Sequence, residues 1–336
     1  MSSASLRFIK DAVVLNRISL RQMQYFVATA ESGSIIIASE KIHVSSPSIS
    51  AAIAHIESEL KVQLFIRQHA KGLILTNIGE KVMQECKFIL SQANSLYSLA
   101  ADFSGSIRGP LLLGCFTAFS PMIYAEIIHG FKNLYKQVTL DLCEDDQLVL
   151  LNSLARNELD VVLTYDLNID HDLINFEPLA VLPPHVLVSE AHPLSKNIAV
   201  TLEELAELPM ILLDMPFSND YFISLFRNLK LSPKVAHSSR HVDVVRSMVA
   251  NNLGYTILNV RPKNNFSLDG KRLVRLRIAG EHRPMQIGLA TAKNAALNTV
   301  SQAFISRCRA FLSNQYIPGM ADAHFFDPHI KTKAIE

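Results

Sequence analysis

From Thr76 to about Phe103 the chain runs without a proline, and its one glycine there, Gly79, stands near the start. Met83, Cys86, Leu90, Ala93, Tyr97 and Ala100 recur within it in alternating steps of three and four, which is the seam of one long helix. Such a seam either packs on its own domain or pairs with a second helix, and small residues such as Ala93 and Ala100 permit close approach. Ser104-Gly105-Ser106-Ile107-Arg108-Gly109-Pro110 then breaks the pattern and marks a domain boundary. The helix therefore divides the chain into a part before it and a part after it. A length of 336 residues, against roughly 150 for a typical domain, leaves room for both.

Apolar residues make up 49% and charged residues 19%, which excludes a disordered or collagen-like chain. The formal net charge is +1, so any affinity for nucleic acid or membrane has to come from a local surface. Cys86, Cys115, Cys143 and Cys308 lie far apart, with no C-x-x-C and no metal-type spacing; they read as thiols in a reducing compartment. The N-terminal stretch to Ile18 carries Arg7, Lys10, Asp11 and Arg17 and offers no clean signal-peptide core. No apolar run reaches the roughly 18 residues of a membrane span. The expectation is a cytoplasmic chain with no membrane partner.

Before the long helix, Met23, Phe26, Val27 and Ala30 form one helical stripe that stops at Gly33. A second short helix is predicted from about Ser34 to Lys41, with Ala38 and Ile42 inward. His43-Val44-Ser45-Ser46-Pro47 then reads as a turn into a third helix, with a serine N-cap and a proline tolerated in the first turn. Ile49, Ile53, Ile56 and Leu60 form its core stripe. Pro47, Ala51, Ala54 and Ser58 fall on the opposite side, flanked by Ser46 and Ser50. That outer face is small and uncharged, a shape suited either to a major groove or to plain solvation. Leu64-Phe65-Ile66-Arg67 and Gly72-Leu73-Ile74-Leu75-Thr76 read as two strands around a basic tip, Arg67 to Lys71, which as a wing would lie beside the DNA backbone.

These blocks carry a resemblance. Leu20-Arg21-Gln22-Met23 through Phe26, Ala28 to Ser34, Val44-Ser45-x-Pro47-Ser48-x-Ser50, Leu64-Phe65-x-Arg67 and Leu75-Thr76-x-x-Gly79 resemble, in order and spacing, the LysR-type transcriptional regulators. The resemblance implies an all-α winged helix-turn-helix at residues 19–76, after an N-terminal extension at 1–18. Its DNA-binding candidates are Ser45, Ser46, Pro47, Ser48, Ser50, Ala51, Arg67 and Lys71, and its partner is double-stranded promoter DNA. It also implies a dimerisation helix at 77–104, with homotetramers and RNA polymerase as further associations. Two departures stand out. The family often has glutamine at Ser46 and arginine or glutamine at Ala51, so two long side chains that could each contribute about 1–3 kcal/mol of base discrimination are missing. Ile35-Ile36-Ile37 replaces a more polar stretch and would add core or an interface.

After the boundary, strand and helix patterns alternate. Leu111–Cys115 reads as a strand and Pro121–Leu134 as a helix with Tyr124, Ile127, Ile128, Phe131 and Leu134 on one side. Val138, Leu140 and Leu142 mark a strand, Leu148, Leu151 and Leu154 a helix, and Asp160–Leu163 a strand. This predicts an α/β fold with right-handed crossovers and a parallel sheet, whose ligand would sit beyond the strand ends. A second unit begins near Leu182, with strands at 186–188, 210–213 and 254–258, helices starting at Thr201 and within 237–253, a strand at 285–290 and a closing helix at 299–312. This order, with His192-Pro193-Leu194 and Val249-Ala250-Asn251-x-Leu253-Gly254-Tyr255, resembles the effector domain of the same family. That domain is two-lobed and like a type II periplasmic binding protein. It would span 108–313, lobe I being about 108–181 and 284–313 and lobe II about 182–283, with a C-terminal tail at 314–336.

The effector is expected in the cleft between lobes. Thr117, at the end of the first strand, reads either as a helix cap or as a carboxylate ligand. Phe116 and Phe119 beside it, and Phe217, Tyr221 and Phe222 from the other lobe, could sandwich a planar group, which favours an aromatic organic acid. Pro216, Phe217 and Ser218 match the second-lobe loop facing the pocket, and Asn259 ends a strand pointing there. Asp146 stands where the family often has a small hydroxyl residue, and it would repel an anion or recruit an amine. The ligand candidates are thus Thr117, Phe119, Asp146, Pro216, Phe217, Ser218 and Asn259. No cofactor, metal or catalytic residue is implied. The phosphate-loop, zinc-protease, nucleophile-elbow and dinucleotide motifs are missing, and His237 and His241, four apart, lack an acidic partner. A solute-binding protein for import would need a secretion signal and no winged helix. A thiol-switch regulator would need a cysteine pair in lobe II, and no cysteine lies between Leu182 and Arg283.

Overall fold

A reciprocal cap starts the first helix: the Ser19 hydroxyl accepts from the Gln22 amide at 3.3 Å and the Gln22 side chain accepts from the Ser19 amide at 2.9 Å, which satisfies two otherwise orphaned donors. Helix α1 (Leu20–Ser32) ends at Gly33 with φ 62°, a left-handed conformation that costs glycine little. Ser34 caps α2 (Ile35–Ile42), and Ser45 caps α3 (Ser46–Leu60), which has Pro47 in its first turn. A two-stranded antiparallel wing follows, β1 (Phe65–Gln68) with β2 (Gly72–Leu75), and then the 26-residue α4 (Asn77–Asp102). The computed structural model describes residues 17–68, 72–102, 107–295 and 297–321. The chain divides between Ala100 and Ala101 into two compact units.

The first unit closes on Phe26, Ala38, Ile49, Ile53, Ile56, Leu64, Phe65 and Cys86. Phe26 and Phe65 meet edge to face at 5.5 Å, and each fully buried large side chain contributes about 1.5–3 kcal/mol. The wing root is pinned to the turn between the first two helices. A Cβ at Gly72, where φ is +78°, would stand 2.6 Å from the Gly33 carbonyl oxygen, and the Leu73 amide donates to that same oxygen at 2.9 Å. One expectation changes, and two open ones are decided. Leu60 is 41% exposed, because α3 has run past the core by its last turn and stops at the left-handed Lys61. Of the isoleucine run, Ile35 packs on the core while Ile36 and Ile37 point outward. Met83 and Cys86 pack against the winged-helix core of their own chain, one of the two roles open to the seam, whereas Phe88 and Ile89 are exposed. The side chains of Tyr97 and Ala100 lie outside the described residues.

In the second unit, β3 (Gly109–Phe116), α5 (Ser120–Leu134), β4 (Val138–Asp145), α6 (Gln147–Ala155) and β5 (Val161–Tyr165) form the predicted alternation. β3 pairs in parallel with β4 and β5. The sheet is nevertheless mixed. After β6 (Ile174–Leu182) the chain leaves to build lobe II and returns as β13 (Met285–Ala292), which enters antiparallel between β5 and β6. The strand order is β4-β3-β5-β13-β6, and α10 (Thr299–Phe311) follows. Lobe II holds β7 (His185–Ser189), β8 (Ala199–Val200), α7 (Leu202–Ala206), β9 (Pro209–Leu213), α8 (Ser218–Arg227), β10 (Lys234–Ser239), α9 (Val242–Ala250), β11 (Thr256–Leu258) and β12 (Leu273–Ile278). Its four-stranded sheet runs β11-β7-β12-β8 with β9 and β10 as a parallel pair beside it, so only some of its neighbours are parallel. Leu134, Leu142 and Leu148, expected inward, are exposed.

Candidate functional site

The register of β3 on β4 brings Phe116 opposite Asp145, and the next amide, Thr117, donates to the Asp145 carbonyl at 3.1 Å. Thr117 and Asp146 therefore stand side by side at the strand ends of lobe I. Both line a cleft of about 570 Å3, whose far wall comes from lobe II through Met215, Arg240, Arg246 and Phe266. A cavity of that size suits a small molecule. Asp146 is committed twice. One oxygen caps α6 by accepting from the Val149 amide at 3.1 Å, and the other accepts from the Arg240 guanidinium at 2.5 Å. That ion pair crosses the cleft. Next to it, Glu144 accepts from the Ser120 hydroxyl at 3.0 Å.

Arg246 supplies the opposite sign. It is 4% exposed, and its guanidinium donates to the carbonyls of Asn264 and Phe266, both at 2.9 Å. Burial pulls its pKa down while nearby Asp243 pushes it up. Behind it, Arg275 donates to the Pro262 carbonyl; burial, with the charges of Arg246 and Arg261, lowers its pKa to about 10. Burial and the same three arginines hold His185 well below the usual imidazole range, hence neutral. The lobe II wall is thus backed by cationic groups, and the lobe I rim by carboxylates.

The remaining candidates lie elsewhere. Phe119 is fully buried and packs edge to face with Phe116 and Tyr165 at 5.6 and 5.2 Å; these rings are lobe I core. Pro216 and Phe217 are half-buried and do not line the cleft; Phe217 precedes α8 with φ 64°. Ser218 is buried, its amide donating to the Pro216 carbonyl at 2.8 Å and its hydroxyl finding no partner. Asn259 is buried at the junction of the lobes, its side-chain amide donating to the Leu182 carbonyl at 2.7 Å. Tyr221 donates to the Arg283 carbonyl at 2.6 Å, and Phe222 is buried. The expected aromatic sandwich is not formed, because these rings gain more by closing the two lobe cores than by facing an open cleft. Arg240, Arg246 and Phe266 escaped the sequence reading. Arg240 directly follows β10, whose sequence Lys-Val-Ala-His-Ser-Ser shows no apolar periodicity, while Arg246 lies on α9 and Phe266 on the segment between β11 and β12.

On α3 the outer face carries Pro47, Ser50, Ala51 and Ala54, all exposed. Ser45 and Ser48 share a hydroxyl contact of 2.7 Å, and Ser46 is half-buried with its hydroxyl donating to Ser39 at 3.1 Å. His55, which the sequence reading passed over, is exposed on the same helix and contacts Gln22 at 3.1 Å. Arg67 pairs with Leu73 across the wing, while Lys71 lies outside the described residues. Among the described residues no cluster of His, Cys, Asp and Glu could hold a metal, and no helix is long and apolar enough to cross a membrane.

Residues 20–80 match the profile of the bacterial regulatory helix-turn-helix proteins of the LysR family, and residues 104–313 match the LysR substrate binding domain. HinK, a LysR family transcriptional regulator from Pseudomonas aeruginosa, is 33% identical, with a TM-score of 0.60 over 88% of this chain and 99% of that one. YvbU, an HTH-type transcriptional regulator of Bacillus subtilis, is 27% identical over 281 residues, covering 83% of this chain and 94% of that one. CbnR, a LysR family regulator crystallised with its target DNA, is 19% identical with a TM-score of 0.63 over 87% of this chain and 99% of that one, a likeness of fold. The winged helix and the two-lobed domain occur in one chain, which sets aside both an import protein and an enzyme. The chain belongs to the LysR family of DNA-binding transcriptional regulators.

Proposed function

We propose that this regulator binds promoter DNA through the N-terminal turn of α3 and the wing, and that a small organic acid in the interlobe cleft modulates that binding. The observation that carries the effector assignment is the Arg240–Asp146 pair: an arginine inside the cleft already holds a carboxylate at 2.5 Å. A ligand carboxylate, with both oxygens free, offers Arg240 a two-pronged contact where Asp146 offers one oxygen, and would take Arg240 from Asp146, with the Thr117 hydroxyl alongside. Pairing with Arg240 also offsets the repulsion that Asp146 would otherwise exert on an anion. The ligand's apolar body would rest on Met122, Met215 and Phe266 rather than between stacked rings, so an aliphatic or a single-ring acid fits equally.

On the DNA side, Pro47, Ser50 and Ala51 form a low surface that lets the helix approach the groove floor, with Ala51 placed for a thymine methyl. Ser45 and Ser48 shape the helix start through their mutual bond and Ser46 through its bond to Ser39, and Arg67 and Lys71 engage the backbone. CbnR, similar in fold, is crystallised with its target DNA, which supports DNA binding by this architecture. The chain would act in the cytoplasm as a dimer through α4 or as a tetramer, with RNA polymerase as a further contact. A thiol switch is disfavoured by the cysteines: burial pushes Cys86 up to about 11 and Cys308 up to about 12. The test is a thermal-shift screen of the full chain against organic acids and amines, repeated with Arg240→Gln. An acid at a hundred times its Kd adds about 2.7 kcal/mol. Stabilisation by acids that weakens in Arg240→Gln supports the assignment. Stabilisation by amines alone overturns it.

A further inference from the structure

The matched effector domain ends at residue 313, yet the next eight residues are built into both lobes. The Ser313 amide donates to the Tyr316 carbonyl at 2.9 Å, the Tyr316 amide donates back at 3.1 Å, and Asn314 accepts from the Val181 amide at 2.8 Å. The Tyr316 hydroxyl donates to Glu126 on α5 at 2.6 Å, and its ring meets Phe311 at 5.4 Å. These contacts belong to lobe I. Three residues further on, the chain runs antiparallel to lobe II. Met320 bridges Pro262, the Lys263 amide donates to the Gly319 carbonyl at 2.8 Å, and the Ala321 amide donates to the Arg261 carbonyl at 2.7 Å. Ile317 and Met320 are 5% and 4% exposed, so the segment is anchored by burial as well as by hydrogen bonds.

Gly319 is the point where the segment passes between the lobes. Its φ is +65°, and a Cβ there would stand 2.9 Å from the Met122 Cβ and 3.1 Å from the Met122 carbonyl oxygen. Both the backbone conformation and the space demand glycine. Met122 and Pro262, the residues gripped on either side, line the cleft. A segment that hydrogen-bonds one lobe at Glu126 and Val181 and the other at Arg261 and Lys263 resists any motion that separates them.

We propose that residues 314–321 form a strap, added to the family's effector domain, which couples the two lobes and limits how far the cleft opens. Opening then requires breaking the Arg261 and Lys263 backbone bonds and uncovering Met320. The strap acts together with the Asp146–Arg240 pair, so loosening one end of the cleft loosens the other. This inference stands whether or not the ligand is an organic acid.

The test is hydrogen exchange on the full-length, ligand-free chain. Gly319→Val introduces the clash with Met122, and Tyr316→Phe removes only the bond to Glu126, which keeps the test open if the first variant folds poorly. Both variants are expected to speed exchange at the amides that hold the strap, Val181, Lys263 and Ala321, by on the order of tenfold in Gly319→Val and less in Tyr316→Phe. The decisive readout is remote: exchange at 144–149 and 240–246 should quicken as well. Faster exchange confined to Val181, Lys263 and Ala321 in both variants, with 144–149 and 240–246 unchanged, would overturn the coupling.

Discussion

Asp146 does two separable jobs, and its substitutions should separate them. Asp146→Asn keeps an oxygen that can accept from the Val149 amide but loses the charge that faces Arg240. The pair is asymmetric: the Asp146 side chain is 9% exposed and the Arg240 side chain 61%. Solvent on the arginine side screens the attraction, which places the loss near the surface-pair range, about 0.5–1 kcal/mol. Asp146→Ala also removes the cap of α6, a further loss of about 1 kcal/mol. Arg240→Gln should cost about as much as Asp146→Asn, and the double variant Asp146→Asn with Arg240→Gln little more than either alone. Urea unfolding of the full chain at moderate salt reads all four values. The same reasoning fixes the sign of the ligand effect. Asp146 competes with the effector for Arg240, so Asp146→Asn should tighten an organic acid by about the same energy, roughly two- to fivefold in Kd. Additive single variants would refute the ion pair in solution. A weaker acid in Asp146→Asn would refute the competition.

Three further outcomes are expected. Arg67→Ala should lower DNA affinity across sequences and reduce the salt slope by about one, whereas Ser46→Ala, whose hydroxyl is spent on Ser39, should change affinity little; filter binding at several salt concentrations compares them. Phe26→Ala empties the centre of the first unit and should destabilise it by about 3–5 kcal/mol, read by thermal unfolding. His185 is held neutral when folded, so the unfolded state binds the extra proton. Its contribution to stability should be complete above the ordinary imidazole pKa of about 6.5 and fall by about 1.4 kcal/mol per pH unit below it. Unfolding free energies from pH 7.5 to 5.5 should lose that component of the slope in His185→Gln.

The parts of the fold that could be read from sequence are those that local chemistry determines. Ser19, Ser34 and Ser45 each announce a helix start, Gly33 a helix end, and Ile49, Ile53 and Ile56 the buried face between them. Leu60 misled because periodicity does not say where a helix outruns its core. In the second unit β10 is exposed along most of its length and exists through parallel pairing with β9, a tertiary cause with no periodic trace. The antiparallel entry of β13 is likewise invisible until lobe II is placed, since it depends on the direction of return. The cleft divides the same way. Thr117 and Asp146 end recognisable strands and are legible, while Arg240 follows the unrecognised one and Arg246, on the helix expected within 237–253, reaches the cleft through tertiary packing alone. The spacing of Phe119, Tyr221 and Phe222 suits either a ligand contact or a core position, and large apolar area draws such rings into the nearest core. The segment after residue 313 offers no motif; its contacts come from Gly319, the Asn314 and Tyr316 side chains and backbone bonds to 261 and 263, all of them tertiary.

The central claim joins the two halves: a ligand in the cleft changes how the winged helix binds DNA. The most direct measurement is the affinity of the full chain for duplexes selected from a random-sequence pool, with and without the organic acids that stabilise it thermally. The expected result is a severalfold change in Kd for DNA that saturates with the acid and disappears in Arg240→Gln. An acid that stabilises the protein yet leaves DNA affinity unchanged, or one whose effect persists in Arg240→Gln, would contradict the account.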